Sequence, residues 1–219
     1  FVKDQRDRLP DAVNRLAPAV VDPSPLVRFE AVAALGRIRG PHAAELATSV
    51  LEYPLDAGLD DALRRALAAQ TSTWLAALEA GTLRCANQPA RLEALLRAAP
   101  TDAALRAVAR LLTDETLPAP VKARLLALKT EIGPPADLAD VLGRVRPLPD
   151  PADRTLVLKA LTRSVHARSL RFDPPSDAVA ELLHDRDEGV KAAAAHLVGA
   201  ARIVHARSDL VPLANDPLA

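Results

Sequence analysis

The sequence predicts an all-α chain: one module over residues 1–219, built as a right-handed superhelix (α-solenoid) of antiparallel helix hairpins. Three observations predict it. Apolar residues recur at helical spacing in segments of roughly 10–15 residues, and no segment alternates as a strand does. Nineteen prolines cluster between these segments, as at Pro23 and Pro25, Pro118 and Pro120, and Pro147 and Pro149; proline suits a helix's first turn and breaks its interior. Hydrophobic residues make up 49% of the chain but aromatics only 2%. Ala, Leu and Val must therefore do the packing, and Ala-rich faces let helices stack closely.

In chain order, Val13, Leu16, Ala17 and Val20 fall on one face of a first helix. Asp22-Pro23-Ser24-Pro25 reads as a turn, with Ser24 as cap and Pro25 at the first helical position. Val27, Ala31, Ala34, Leu35 and Ile38 form the expected apolar stripe of the second helix. A matching unit lies near the C-terminus. Ala178, Val179, Leu182 and Leu183 make its first helix, residues 185–189 its turn, and residues 190–199 its second helix. Aligned without gaps, Asp22 falls on Asp185, Val27 on Val190, Arg28 on Lys191 and Gly36 on Gly199, the self-similarity expected of a repeat. A third copy spans Ala104 to Ile132, with Asp114 at the turn and Val121-Lys122 opening the second helix.

This pattern resembles the HEAT repeat, in which paired antiparallel helices carry an Asp in the turn and a Val-Arg or Val-Lys pair early in the second helix. Asp22, Val27 and Arg28 match it, as do Asp185, Val190 and Lys191. The expected role of the basic position is to point between repeats and bond an Asp or a backbone carbonyl. The stretch Tyr53–Leu67, with Trp74–Leu78 and Gly81–Arg84, is similar to the helical region of large PVC-type haem-binding CxxCH proteins. In those, a propeller resembling sugar dehydrogenases is followed by HEAT-like repeats and a c-type cytochrome domain. The similarity continues through Asn87–Glu93 into the last unit, over most of residues 20–216. It implies a periplasmic or secreted setting and electron transfer in a parent protein, with cytoplasmic residence left open. No Cys-x-x-Cys-His occurs here, so haem c would be held outside these residues and this chain would carry no cofactor.

Residues that bear chemistry are scattered. His42, His166, His184, His196 and His205 form no His-x-x-x-His pair, the spacing that places two ligands on one helical face. We read them as surface or capping residues and expect no metal. Cys85 is the single cysteine. A thiolate beside Arg84 and a helix start would be activated, but with no second cysteine we read a structural thiol. Glu52, Asp56, Asp60 and Asp61 form an acidic cluster that lacks the ligand spacing of a calcium loop, and Arg64 and Arg65 stand ready to neutralise it. Arg163, His166, Arg168 and Arg171, followed by Phe172, read as a basic helix face. Stacking of hairpins would be the one route to bring His166 to His205, or Asp60 to Glu93. Trp74, spaced with Leu75 and Leu78, reads as core.

These readings give no catalytic residue and favour a non-catalytic scaffold. It would space or dock neighbouring domains of a dehydrogenase–cytochrome c protein; the alternative is a stand-alone protein-interaction module. Twenty-eight basic and 28 acidic residues leave a net charge of zero, which argues against nucleic acid. No apolar run reaches the ~18–20 residues of a membrane span. The chain starts at Phe1, contains no Met and shows no signal peptide, so we expect a fragment of a longer, multidomain protein.

Overall fold

The computed structural model describes residues 9–203, apart from 171 and 173, together with residue 206. Twelve α-helices and two short 3-10 turns account for the regular structure, and no strand occurs among the described residues. The all-α class is as the sequence predicts. The chain divides into two compact units, up to Ala107 and from Val108 onward.

The first unit contains α1 (Leu9–Val20), α2 (Pro25–Leu35), α3 (Pro41–Ala47), α4 (Ala57–Ala68), α5 (Thr71–Glu79) and α6 (Pro89–Ala98). The division between the units falls within α7 (Asp102–Leu111). The second unit continues with α8 (Ala119–Ile132), α9 (Asp137–Gly143), α10 (Pro151–Ala167), α11 (Ser176–Leu183) and α12 (Glu188–Ala201). Proline stands in the first turn of α2, α3, α6, α8 and α10, where its missing N–H costs no helical bond. Pro18 is the exception, lying inside the C-terminal part of α1 with its side chain exposed.

In the first unit α2 packs on α4 and α4 on α6, while α1 packs on α3 and α3 on α5. Leu35, Leu59, Leu67, Trp74, Leu92, Leu95 and Leu96 are fully buried there. Helices α2 and α4 approach closely: a Cβ at Gly36 would lie 2.9 Å from both Cα and Cβ of Ala66. The buried Gln70 reinforces this contact, donating from Nε2 to the carbonyl of Leu35 at 3.1 Å and to that of Ala66 at 3.3 Å. In the second unit α8 packs on α10 and α10 on α12, over a core that includes Leu125, Leu126, Leu128, Leu158 and Leu161. Ser164 Oγ donates to the carbonyl of Thr130 at 2.7 Å, and Arg168 donates to that of Gly133 at 2.9 Å. Each unit thus ties the end of one even-numbered helix to the end of the previous one. Such bonds contribute about 1 kcal/mol apiece and fix the register that apolar burial alone leaves loose.

The second helix corrects the expected stripe. Val27 is 38% exposed, and Ile38 is only half-buried. The inward face carries Arg28, Ala31, Val32 and Leu35. Arg28 turns inward to reach backbone carbonyls, and this rotates the helix by one residue relative to the apolar pattern. Ser24 occupies the N-cap position without a side-chain cap. Asp22 binds this turn instead, accepting from the Ser24 N–H at 2.8 Å.

Candidate functional site

The Asp of each proposed repeat turn makes the same local bond. Asp22 accepts from Ser24 N–H at 2.8 Å, Asp114 from Thr116 N–H at 2.9 Å and Asp185 from Asp187 N–H at 2.9 Å. These carboxylates satisfy amides just ahead of a helix start. Asp114 also accepts from the Thr116 hydroxyl, and these bonds hold its carboxyl below the ordinary value.

The basic positions diverge. Arg28 is buried and donates from Nη1 to the carbonyls of Asp22 at 2.7 Å and Pro23 at 3.0 Å. Its guanidinium lies 4.9 Å from the centroid of the Tyr53 ring, a cation–π distance. Its Nε is buried without a hydrogen-bond partner. Lys191, its counterpart by alignment, is partly exposed and pairs with Glu188 at 2.5 Å, one turn back on its own helix. Val190 is fully buried, unlike Val27.

The true structural counterpart of Arg28 is a residue the sequence reading passed over. Arg154 stands four residues after the N-cap Asp150, as Arg28 stands four after Ser24. Its Nη1 donates to the carbonyl of Leu148 at 3.1 Å, six residues back, the same separation as Arg28 to Asp22. Its Nη2 lies 3.4 Å from Asp185 Oδ1, with both side chains 16% exposed. A basic residue of one turn thus meets the Asp of the next. The available signal was Asp150-Pro151 as a cap with a first-turn proline, which places Arg154 in register.

The even-numbered helices are bordered by shallow grooves. Between α2 and α4 the groove is lined by Phe29, Ala33, Arg37 and Arg65. The groove between α4 and α6, of about 300 Å³, brings Asp60 and Glu93 to one site with Arg64 and Arg97. Charges there cancel locally: Arg64 and Arg65 pair with Asp61, and Arg97 with Glu93 at 2.7 Å. Asp56 is the N-cap of α4 and accepts from Leu59 N–H at 2.8 Å, and Glu52 pairs with Arg91. Glu52, Asp56 and Asp61 of the acidic cluster are therefore spent on capping and pairing. In the second unit a groove of about 530 Å³ between α10 and α12 is lined by Thr162, His166, Ala192, Ala195, His196 and Gly199. Arg163 and His166 lie on α10, whereas Arg168 lies just past its end and is bonded to Gly133. Phe172 is buried; Arg171 and His205 lie outside the described residues.

Cys85 is 2% exposed, on the 3-10 turn Arg84–Asn87. Burial, reinforced by the nearby Glu45 carboxylate, pushes its thiol up to about 11. A protonated, buried thiol is a packing group and a poor nucleophile. Glu45 is itself buried, accepts from the Arg84 N–H and lies 3.6 Å from His42 Nδ1. Trp74 is fully buried and donates from Nε1 to the Leu67 carbonyl at 2.9 Å. Among the described residues no three His, Cys, Asp or Glu side chains converge as metal ligands, and no helix is long and apolar enough to cross a membrane. No protein-family model matches this chain, and none of the curated proteins does.

Proposed function

We propose that this chain is a HEAT-like helical scaffold, a right-handed superhelix whose even-numbered helices line a surface that docks partner proteins or neighbouring domains. One observation carries the reading. Helices α2, α4, α6, α8, α10 and α12 begin at Pro25, Ala57, Pro89, Ala119, Pro151 and Glu188, 30–37 residues apart. A recurrence of that length fits one helix hairpin per repeat. The shared backbone bonding of Arg28 and Arg154 supports it, since a repeated bond is harder to obtain by chance than a repeated apolar pattern. The protonated Cys85 and the paired carboxylates support a non-catalytic role.

The similarity of residues 53–93 to the PVC-type haem-binding proteins supports a place between a dehydrogenase-like and a cytochrome c domain of an exported redox protein. Haem would be carried by the neighbouring domain. Small-angle scattering tests the scaffold. A sphere-like chain of 219 residues has a radius of gyration of about 17 Å. A continuous solenoid exceeds about 20 Å, and a value near the sphere's refutes it. The reading frame around the encoding gene tests the redox setting: a downstream Cys-x-x-Cys-His supports it, and its absence leaves a stand-alone interaction module.

A further inference from the structure

We propose that the groove between α10 and α12 binds an acidic, extended segment of a partner protein, with Lys159 and Arg163 recognising its carboxylates. The inference rests on the scaffold reading and names the partner class for one stretch of its surface.

Lys159, Thr162, Arg163 and His166 recur at three- and four-residue spacing, so they share one face of α10. Thr162 and His166 line the groove, and the exposed Lys159 and Arg163 adjoin them on the same face of α10, Arg163 reaching toward α8. Lys159 makes no ion pair among the described residues. Arg163 reaches Glu131 only at 3.8 Å, with its side chain 69% exposed. The facing residues of α12, Ala192 and Gly199, carry no charge. Other carboxylates on the two helices sit in their first turns, at Asp153 and at Glu188, which pairs with Lys191. Among the described residues Lys159 is therefore unpaired and Arg163 only loosely paired with Glu131, in contrast to the closely self-paired Asp61, Arg64 and Arg65 of α4.

The floor suits a peptide backbone. A Cβ placed on Gly199 would meet nothing within 4 Å, and Ala192 and Ala195 add only a methyl group each. The exposed imidazoles of His166 and His196 add hydrogen-bonding groups along the walls. A nucleic-acid duplex is the poorer fit. Such complexes commonly use roughly 6–10 phosphate contacts, and this face offers two strong cations on a chain of zero net charge.

The test is fluorescence anisotropy with the whole chain and a labelled glutamate-rich peptide at low ionic strength. The wild type should bind, more weakly as salt rises. K159E/R163E should weaken binding by about tenfold or more, while R64E/R65E should leave it unchanged. Gly199→Leu, which fills the groove without changing charge, should also weaken it and guards against a folding defect in the charge-reversed variant. Equal binding by K159E/R163E, no binding by the wild type, or tighter binding of single-stranded DNA than of the peptide would each overturn the proposal. Any of these with an elongated scattering profile overturns this groove alone. A sphere-like profile overturns the scaffold reading.

Discussion

Trp74 is the single tryptophan of a chain with few other aromatic side chains, and it is fully buried in the first unit. Removing it to Ala leaves a hole that its neighbours cannot fill by small shifts, because much of the surrounding packing is by Leu and Ala. An indole buries about 200 Å², which at ~25 cal/mol per Å² is about 5 kcal/mol. Alanine regains part of that, so Trp74→Ala should cost about 3–5 kcal/mol. A typical domain has only about 5–15 kcal/mol in all, and the melting point should fall on the order of 10 °C. Trp74→Phe should be much milder, because the Leu67 carbonyl that loses the indole donor still accepts from Gln70 N–H at 3.2 Å. Urea titration followed by far-ultraviolet circular dichroism measures both variants without needing the indole as a probe. In the wild type the indole itself should emit to the blue and shift red on unfolding. A Trp74→Ala variant with the wild-type midpoint would refute the core assignment and turn attention to Trp74 as a binding group.

Other outcomes follow from the same contacts. Gly36→Ala should destabilise by about 1–3 kcal/mol through its clash with Ala66, whereas Gly199→Ala, with open space around it, should stabilise α12 by about 0.5–1 kcal/mol; paired thermal melts check the opposite signs. With its thiol raised to about 11, Cys85 should react with a disulfide reagent at pH 8 on the order of 100-fold more slowly in the native chain than in urea, on thiolate fraction alone. Burial opposes the charge on Asp140, but bonds from Lys129 and Arg144 outweigh it and hold the carboxyl below its ordinary value. Its folded value lies below the unfolded one, so its stabilisation is present above the unfolded value and is lost as pH falls through the folded one; Asp140→Asn should flatten that part of the acid unfolding curve. Arg28→Lys should cost about 1–2 kcal/mol, because an ammonium replaces a guanidinium that spans two carbonyls and stacks on Tyr53; a wild-type melting curve would show the charge alone suffices.

Much of the fold was legible because proline and apolar spacing mark helices independently of what packs on them. The pairs α1–α2 and α11–α12 appear close to where the pattern places them, and Trp74 is core as expected. The helix face was harder to read. Val27 and Val32 are equally apolar, and the apolar pattern placed Val27, not Val32, on the inward stripe of α2. The face is set instead by Arg28, whose bonds to Asp22 and Pro23 carry it inward. Aligning Lys191 with Arg28 matched sequence but not environment, since Glu188 holds Lys191 toward solvent. Arg154 escaped notice because Leu148, not Asp, occupies the position equivalent to Asp22; only its backbone carbonyl is used. Asp60 and Glu93 do meet at one groove, although their spacing gave no reason to expect it; Arg64 and Arg65 were legible as neutralising groups, but that they choose Asp61, and Arg97 chooses Glu93, needed the structure.

A net charge of zero describes long-range steering poorly and local recognition not at all. In physiological salt the field of an exposed charge decays over ~8 Å, about the distance between neighbouring helices. A partner lying on α4 meets charges already paired within one turn, at Asp61 with Arg64 and Arg65. Desolvating that set gains nothing from an acidic or a basic partner, because each new contact displaces an existing one. A partner lying beside Lys159 and Arg163 displaces mainly water and a 3.8 Å contact. The two stretches of helix surface therefore differ in what they recognise even though their summed composition is balanced. On the scaffold reading proposed above, the charges left unpaired on each helix, and not the summed charge, would decide what is bound there.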